Sequence, residues 1–207
     1  MTREVLKKGS RGNDVKTLQR LLHLYEDGIF GRLTEEAVKE FQSAHGLVAD
    51  GIVGKKTWEA LQKGDTGLLK SKRKITEIIV HCTATPEGKD YTIKDITAWH
   101  KQRGFSTIGY HYVVYRDGSV HTGRDVNIAG AHCTGHNAHS IGVCYVGGLA
   151  KDGKTPKDTR TNVQRASLEI LLRKLRTLYP TAKIYGHNTF SAKACPCFDV
   201  EKEYKNI

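Results

Sequence analysis

The side chains with the richest chemistry in this sequence are histidines and cysteines, and they crowd into one part of it. All five cysteines (82, 133, 144, 195 and 197) and eight of the ten histidines lie beyond residue 70. Three of these side chains could converge on one ion. His81 closes a β-branched run, Ile75-Thr76-Glu77-Ile78-Ile79-Val80, and His187 lies just beyond a second short run, Lys183-Ile184-Tyr185. Both runs read as strands, and strand ends in a sheet-based domain can share one edge and face one cleft. Cys195 follows His187 by eight residues, through a loop long enough to turn back. Two imidazoles and one thiolate would give Zn2+ three protein ligands and leave a fourth position for water, which is the catalytic rather than the structural pattern. The spacing leaves alternatives open. Cys197 competes for the thiolate role, a lone histidine at a strand end is commonly a hydrogen-bonded structural residue, and no short C-x-x-C knuckle is present.

The elements that must position these residues can be read from periodicity. Tyr91 to Gln102 has Ile93, Ile96 and Trp99 at helical spacing, and Asn162 to Leu178 is a longer amphipathic helix carrying Leu168, Leu171, Leu172 and Leu175. Tyr110 to Tyr115 and Ser119 to Thr122 flank Arg116-Asp117-Gly118, a hairpin signal, because Gly accepts positive φ and Asp bonds its own backbone. Ser140 to Val146 reads as another buried strand. Strands interleaved with helices, plus one hairpin, imply a mixed sheet flanked by helices, an α/β domain. Within it Cys82, Cys133 and Cys144 read as small buried apolar residues, and His100 and His111 as structural.

The first seventy residues carry none of this chemistry but contain a repeat. Asp27-Gly28-Ile29-Phe30-Gly31-x-x-Thr34 recurs as Asp50-Gly51-Ile52-Val53-Gly54-x-x-Thr57. The Asp-Gly pairs are turn formers, and Thr34 and Thr57 stand where N-caps are expected. Ala37, Val38 and Phe41 follow the first turn at helical spacing, and Trp58 and Leu61 follow the second. With Val15, Leu18, Leu21 and Leu22 upstream, three short helices form a small bundle. It has no cysteine and no clustered titratable site, so catalysis is not expected there.

Two hundred and seven residues suit one medium domain and one small one. The expected division is 1–65 for the bundle, 66–74 for a polar, Gly-containing linker and 75–207 for the α/β domain. No apolar run reaches the roughly 20 residues needed to cross a bilayer, so membrane insertion is not expected. The start, MTREVLKKGSRGND, has no apolar h-region, so no Sec-type signal is expected and synthesis is expected in the cytoplasm. The absence of a signal and the odd cysteine count argue against a disulfide scaffold. The formal net charge is +11, and residues 71–207 hold 21 basic against 12 acidic side chains. Such a surface attracts polyanions of any kind. The basic residues are scattered and no RRM, KH or zinc-knuckle pattern occurs, so nucleic acid is not the expected partner.

Several longer motifs then become specific. Gly9-x-x-Gly12-x-x-Val15-x-x-Leu18-Gln19, DGIFG, AVKEFQ and GLVADGIVGKKTWEAL resemble the peptidoglycan-binding domain of many cell-wall hydrolases, over residues 5–62. IIVHCTAT, WHKQRGF, GYHYVVYRDG, GAH, NAHSIGVCYVGG and GHNTFSAKACPCFD, in that order over residues 75–200, resemble the zinc N-acetylmuramoyl-L-alanine amidases, a group that includes short phage enzymes called lysozymes. The resemblance implies one catalytic Zn2+ held by His81, His187 and Cys195. It places the family's catalytic tyrosine on Tyr110 and its lysine on Lys193, and His132 of the GAH motif is expected to line the cleft and touch the peptide stem. The implied reaction is hydrolysis of the amide joining N-acetylmuramic acid to L-alanine in peptidoglycan, by a monomer. The implied role is that of a phage or prophage endolysin reaching the wall after release. An exported bacterial wall-remodelling amidase or effector is the alternative within the same chemistry. A non-catalytic peptidoglycan receptor is the alternative outside it, and the retained Cys195 weighs against that.

Overall fold

The structure, a computed structural model, describes residues 4–22, 24–62 and 68–207, with backbone only at positions 44 and 62. The chain divides into two compact units, Met1–Leu69 and Lys70–Ile207. The part of the expected linker at residues 66 and 67 lies outside the described residues.

The first unit is the expected three-helix bundle: α1 (Asn13–Leu21), α2 (Arg32–Ala44) and α3 (Lys55–Gln62). Val15, Leu18, Leu22, Phe30, Val38, Phe41, Val53, Trp58 and Leu61 share one core. The two threonines do not cap. Helix α2 begins at Arg32 with Gly31 before it, so Thr34 lies inside the first turn, and Thr57 likewise lies inside α3. Both are buried because a glutamine from the preceding helix holds them. Gln19 Nε2 donates to Asp27 Oδ1 at 2.7 Å, the Ile29 carbonyl at 3.1 Å and Thr34 Oγ1 at 3.3 Å, while its Oε1 accepts from Gly28 N at 2.8 Å. Gln42 repeats the same four bonds with Asp50, Ile52, Thr57 and Gly51. The sequence repeat is therefore a repeated clasp in which a buried amide ties each Asp-Gly turn to the helix before it.

The second unit is built on a five-stranded mixed sheet in the order β4-β3-β5-β1-β7. Its strands are β1 (Glu77–Cys82), β3 (Tyr112–Val114), β4 (Val120–Thr122), β5 (Ser140–Tyr145) and β7 (Lys183–Gly186). Two short strands, β2 (Thr85–Pro86) and β6 (Gly148–Leu149), pair separately. Within the five-stranded sheet the β3–β4 hairpin alone is antiparallel, turning at Gly118 with φ +84°. Strands β1 and β5 are buried almost throughout, and this is why they read as continuous apolar runs. Helices α4 (Ile93–Gln102) and α5 (Asn162–Leu178) each begin with a capping box, Thr92 with Asp95 and Thr161 with Gln164. The four leucines of α5 are buried as its spacing predicts.

Two further features brace this unit. Residues 71–73, expected in the linker, are instead bonded into the second unit. Ser71 Oγ donates to the Val126 carbonyl at 2.6 Å, and the Arg73 guanidinium donates to the carbonyls of Val126, Asn137, Ala138 and Ser140. At the other end Arg160, whose side chain has no exposed surface, binds both oxygens of Asp158 and of Glu203 and lies 3.3 Å from the centre of the Phe198 ring. That clamp ties the short helix α6 (Val200–Glu203), and with it the segment carrying Cys195 and Cys197, to the chain leading into α5.

Candidate metal centre

Register alone brings the two histidines together. Parallel pairing sets Val80 of β1 opposite Gly186 of β7, so the next residues, His81 and His187, emerge side by side, with ring centres 4.6 Å apart. His81 is inside β1, one residue before its end, and only 1% exposed. His187 opens a single 3-10 turn (His187–Thr189) directly after β7. The following loop returns Cys195 to the same place, with its Sγ 3.8 Å from Nδ1 of His81. One donor atom from each of His81, His187 and Cys195 lies within 4.8 Å of the other two.

The competition between the cysteines is resolved by position. Cys197 Sγ faces Cys82 Sγ at 3.9 Å and donates to the Gly148 carbonyl at 3.1 Å, away from the histidines. Contact with Cys82 and burial push its pKa up, and the Cys195 sulfur together with burial pushes that of Cys82 up to about 12, so both are held as thiols. Cys195 instead accepts the backbone N–H of Cys82 at 3.2 Å and keeps its sulfur beside His81.

The trio fits a zinc ion. Burial drives the His81 pKa well down, helped by the repulsion its proton would meet from protonated His132 and His187 and from Lys193, and burial with Lys193 lowers that of His187. Both rings are thereby kept in the neutral, ligating form. His81 Nδ1 is the nitrogen facing Cys195; its Nε2 lies 3.0 Å from Nδ1 of His132, whose Nε2 lies 3.3 Å from Ser140 Oγ. With Nδ1 of His81 left for a metal, its Nε2–H donates to His132, and the His132 Nε2–H donates to Ser140. A metal-ligating histidine is commonly oriented by such a partner.

His132, expected to line the cleft, stands beside His81 with both of its ring nitrogens taken by protein groups, and so buttresses His81. It fits because residues 130 and 142 are both glycine: a Cβ at either would come within 2.4 Å of His132 Cδ2. A glycine inside an otherwise apolar strand pattern is a signal of such close approach, and it was available in the sequence. Ser140 and the Cys82 amide had no comparable local signal. His100 and His111 are structural as expected, accepting the backbone N–H groups of Gly109 and Gly142, each at 2.9 Å.

Tyr110 and Lys193 border the trio. The Tyr110 ring centre is 5.1 Å from that of His81, and burial, with the thiols of Cys144, Cys195 and Cys82 around it, raises its pKa well above the ordinary phenol value. It stays protonated and can donate but cannot serve as a base. Lys193 is exposed on the loop before Cys195, and its positive charge is felt by both His81 and His187. The arrangement as a whole is two imidazoles and one cysteine sulfur converging beside one phenol and one ammonium.

The family model of N-acetylmuramoyl-L-alanine amidases matches residues 71–198, and that of a peptidoglycan binding domain matches residues 11–61. An endolysin of Enterobacteria phage K11 is 39% identical over 134 residues, which is 65% of this chain and 88% of that relative. An endolysin of Escherichia phage T7 is 39% identical over 133 residues, 64% of this chain and 87% of the relative. Among solved structures, an endolysin N-acetylmuramoyl-L-alanine amidase, LysCS from Clostridium intestinale, superposes with a TM-score of 0.55 at 30% identity, over 63% of this chain and 80% of its own.

Proposed function

The chain belongs to the N-acetylmuramoyl-L-alanine amidase family, and from that premise we propose that its second unit hydrolyses peptidoglycan at the muramoyl–alanine amide with one zinc ion held by His81, His187 and Cys195. The convergence of those three donor atoms within 4.8 Å of one another is the observation that carries the reading. Amides resist hydrolysis because water is a weak nucleophile and the amine a poor leaving group. Zinc in such a site supplies a water of lowered pKa and a Lewis acid for the scissile carbonyl.

The chain's own residues supply the rest. His132 and Ser140 hold His81 in one tautomer and one orientation. The Lys193 ammonium stabilises negative charge as it develops on the carbonyl oxygen. Tyr110 donates a hydrogen bond within the cleft and, through its proton, assists departure of the amine. The first unit, as a peptidoglycan-binding module, keeps the enzyme on an insoluble polymer and raises the local concentration of substrate. With phage endolysins among its relatives, the role supported best is lysis of the host wall after release from the cytoplasm.

Digestion of purified peptidoglycan with and without a chelator, followed by mass analysis, tests this. Free stem peptides should appear, vanish with the chelator and be absent for Cys195→Ser. Unchanged release by that variant would overturn the ligand assignment.

A further inference from the structure

A second group of ligating side chains stands away from the first. Glu77 is the opening residue of β1, four residues before His81, so roughly 13 Å of strand separates the two positions. Its Oε2 lies 2.8 Å from Nδ1 of His136 and 3.4 Å from Nε2 of His139. One donor atom from each of the three lies within 4.8 Å of the others. We propose that Glu77, His136 and His139 bind a second divalent transition-metal ion.

An ordinary ion pair would need only one imidazole on this carboxylate. Here two rings, three residues apart in one loop, turn toward the same oxygen. Their spread suits a metal with bonds of about 2.0–2.2 Å to histidine nitrogen and carboxylate oxygen. Two nitrogens and one carboxylate oxygen select zinc, nickel, cobalt or copper over magnesium or calcium, which want oxygen alone. The side chains keep 16% exposure at Glu77, 27% at His136 and 39% at His139, so water can complete the coordination.

The group is also held in place before any ion arrives. The Phe190 ring packs on His136 with centres 3.9 Å apart. The His139 carbonyl accepts the N–H groups of Thr76 at 2.9 Å and Glu77 at 3.3 Å. Between the histidines, Asn137 Oδ1 accepts from the N–H groups of His132 and Cys133, and Arg73 donates to the carbonyls of Asn137 and Ala138. Ordering entropy that a flexible loop would lose on binding is therefore already spent. The ion would cross-link the start of β1 to the same loop that delivers His132 to His81, which makes it a clip for that loop.

Zinc titration of the chelator-stripped full-length protein, with bound metal counted after dialysis, tests the proposal without reference to catalysis. Wild-type protein should bind one ion more than His136→Ala/His139→Ala, and one more than Glu77→Gln, which keeps the size of the side chain. Cys195→Ser should keep the ion that those variants lose. Equal binding by wild type and both variants would overturn the proposal. A single wild-type ion abolished by Cys195→Ser alone would overturn it while leaving the catalytic trio intact. A single ion abolished only by the loop variants would uphold it and count against the catalytic site.

Discussion

Nε2 of His81 lies 3.0 Å from Nδ1 of His132, and this one bond decides which nitrogen of His81 faces Cys195. Because the His132 ring is in turn pinned against Gly142 and Ser140, the orientation of His81 depends on a residue outside the trio of donor atoms.

Replacing His132 by alanine should therefore weaken zinc binding roughly 10–100-fold, the usual cost of losing an outer partner of a metal ligand. Competition against a chromogenic chelator measures this directly. His132→Asn, which keeps an acceptor at a similar distance, should recover part of the loss. Undiminished affinity in both variants would show that His81 is oriented without help.

Lys193→Met should lower kcat on the order of a hundredfold while leaving zinc stoichiometry and KM nearly unchanged, as expected for a charge used chiefly in the transition state. A fall confined to KM would instead assign Lys193 to substrate capture.

Stability should decline in acid for a reason independent of metal. Burial pushes the pKa values of His100 and His111 down to about 4 from the ordinary 6.5. Below 6.5 the unfolded chain takes up protons that the folded rings refuse, so the stabilisation present above that pH is lost as pH falls toward 4. At roughly 1.4 kcal/mol per pH unit for each ring, moving from pH 7 to pH 5 should cost on the order of 2 kcal/mol per histidine. Urea melts of the chelator-stripped Cys195→Ser protein at the two pH values report the slope, and equal midpoints would refute it.

In the first unit, Gln42→Ala should strand the Gly51 N–H and release Asp50 and Thr57, costing about 1–3 kcal/mol. The variant should lose sedimentation with insoluble peptidoglycan at a temperature where wild type still binds, while its zinc content is unchanged. Gln19→Ala should behave alike, because it breaks the matching clasp.

Much of this molecule was legible in one dimension. Helix α5 spans Asn162–Leu178 as its leucine spacing demands, and the hairpin turns at Asp117-Gly118 because those residue types favour that backbone. Local chemistry failed where a distant group intervened. Thr34 and Thr57 have the chemistry of N-caps, yet Gln19 and Gln42, fifteen residues upstream of each, draw them inward.

The sequence by itself determined the cast: strand-forming runs ending in His81 and followed by His187, a returning loop with two cysteines, and motifs that restrict the chemistry. Spacing left Cys195 and Cys197 as competitors and only the resemblance favoured Cys195; the tertiary structure put Cys195 beside His81 and Cys197 beside Cys82, set His132 against His81, and gathered Glu77 with His136 and His139. Those choices follow from strand register and loop closure. They join residues up to 115 positions apart, a separation at which neither periodicity nor spacing carries information about which side chains meet.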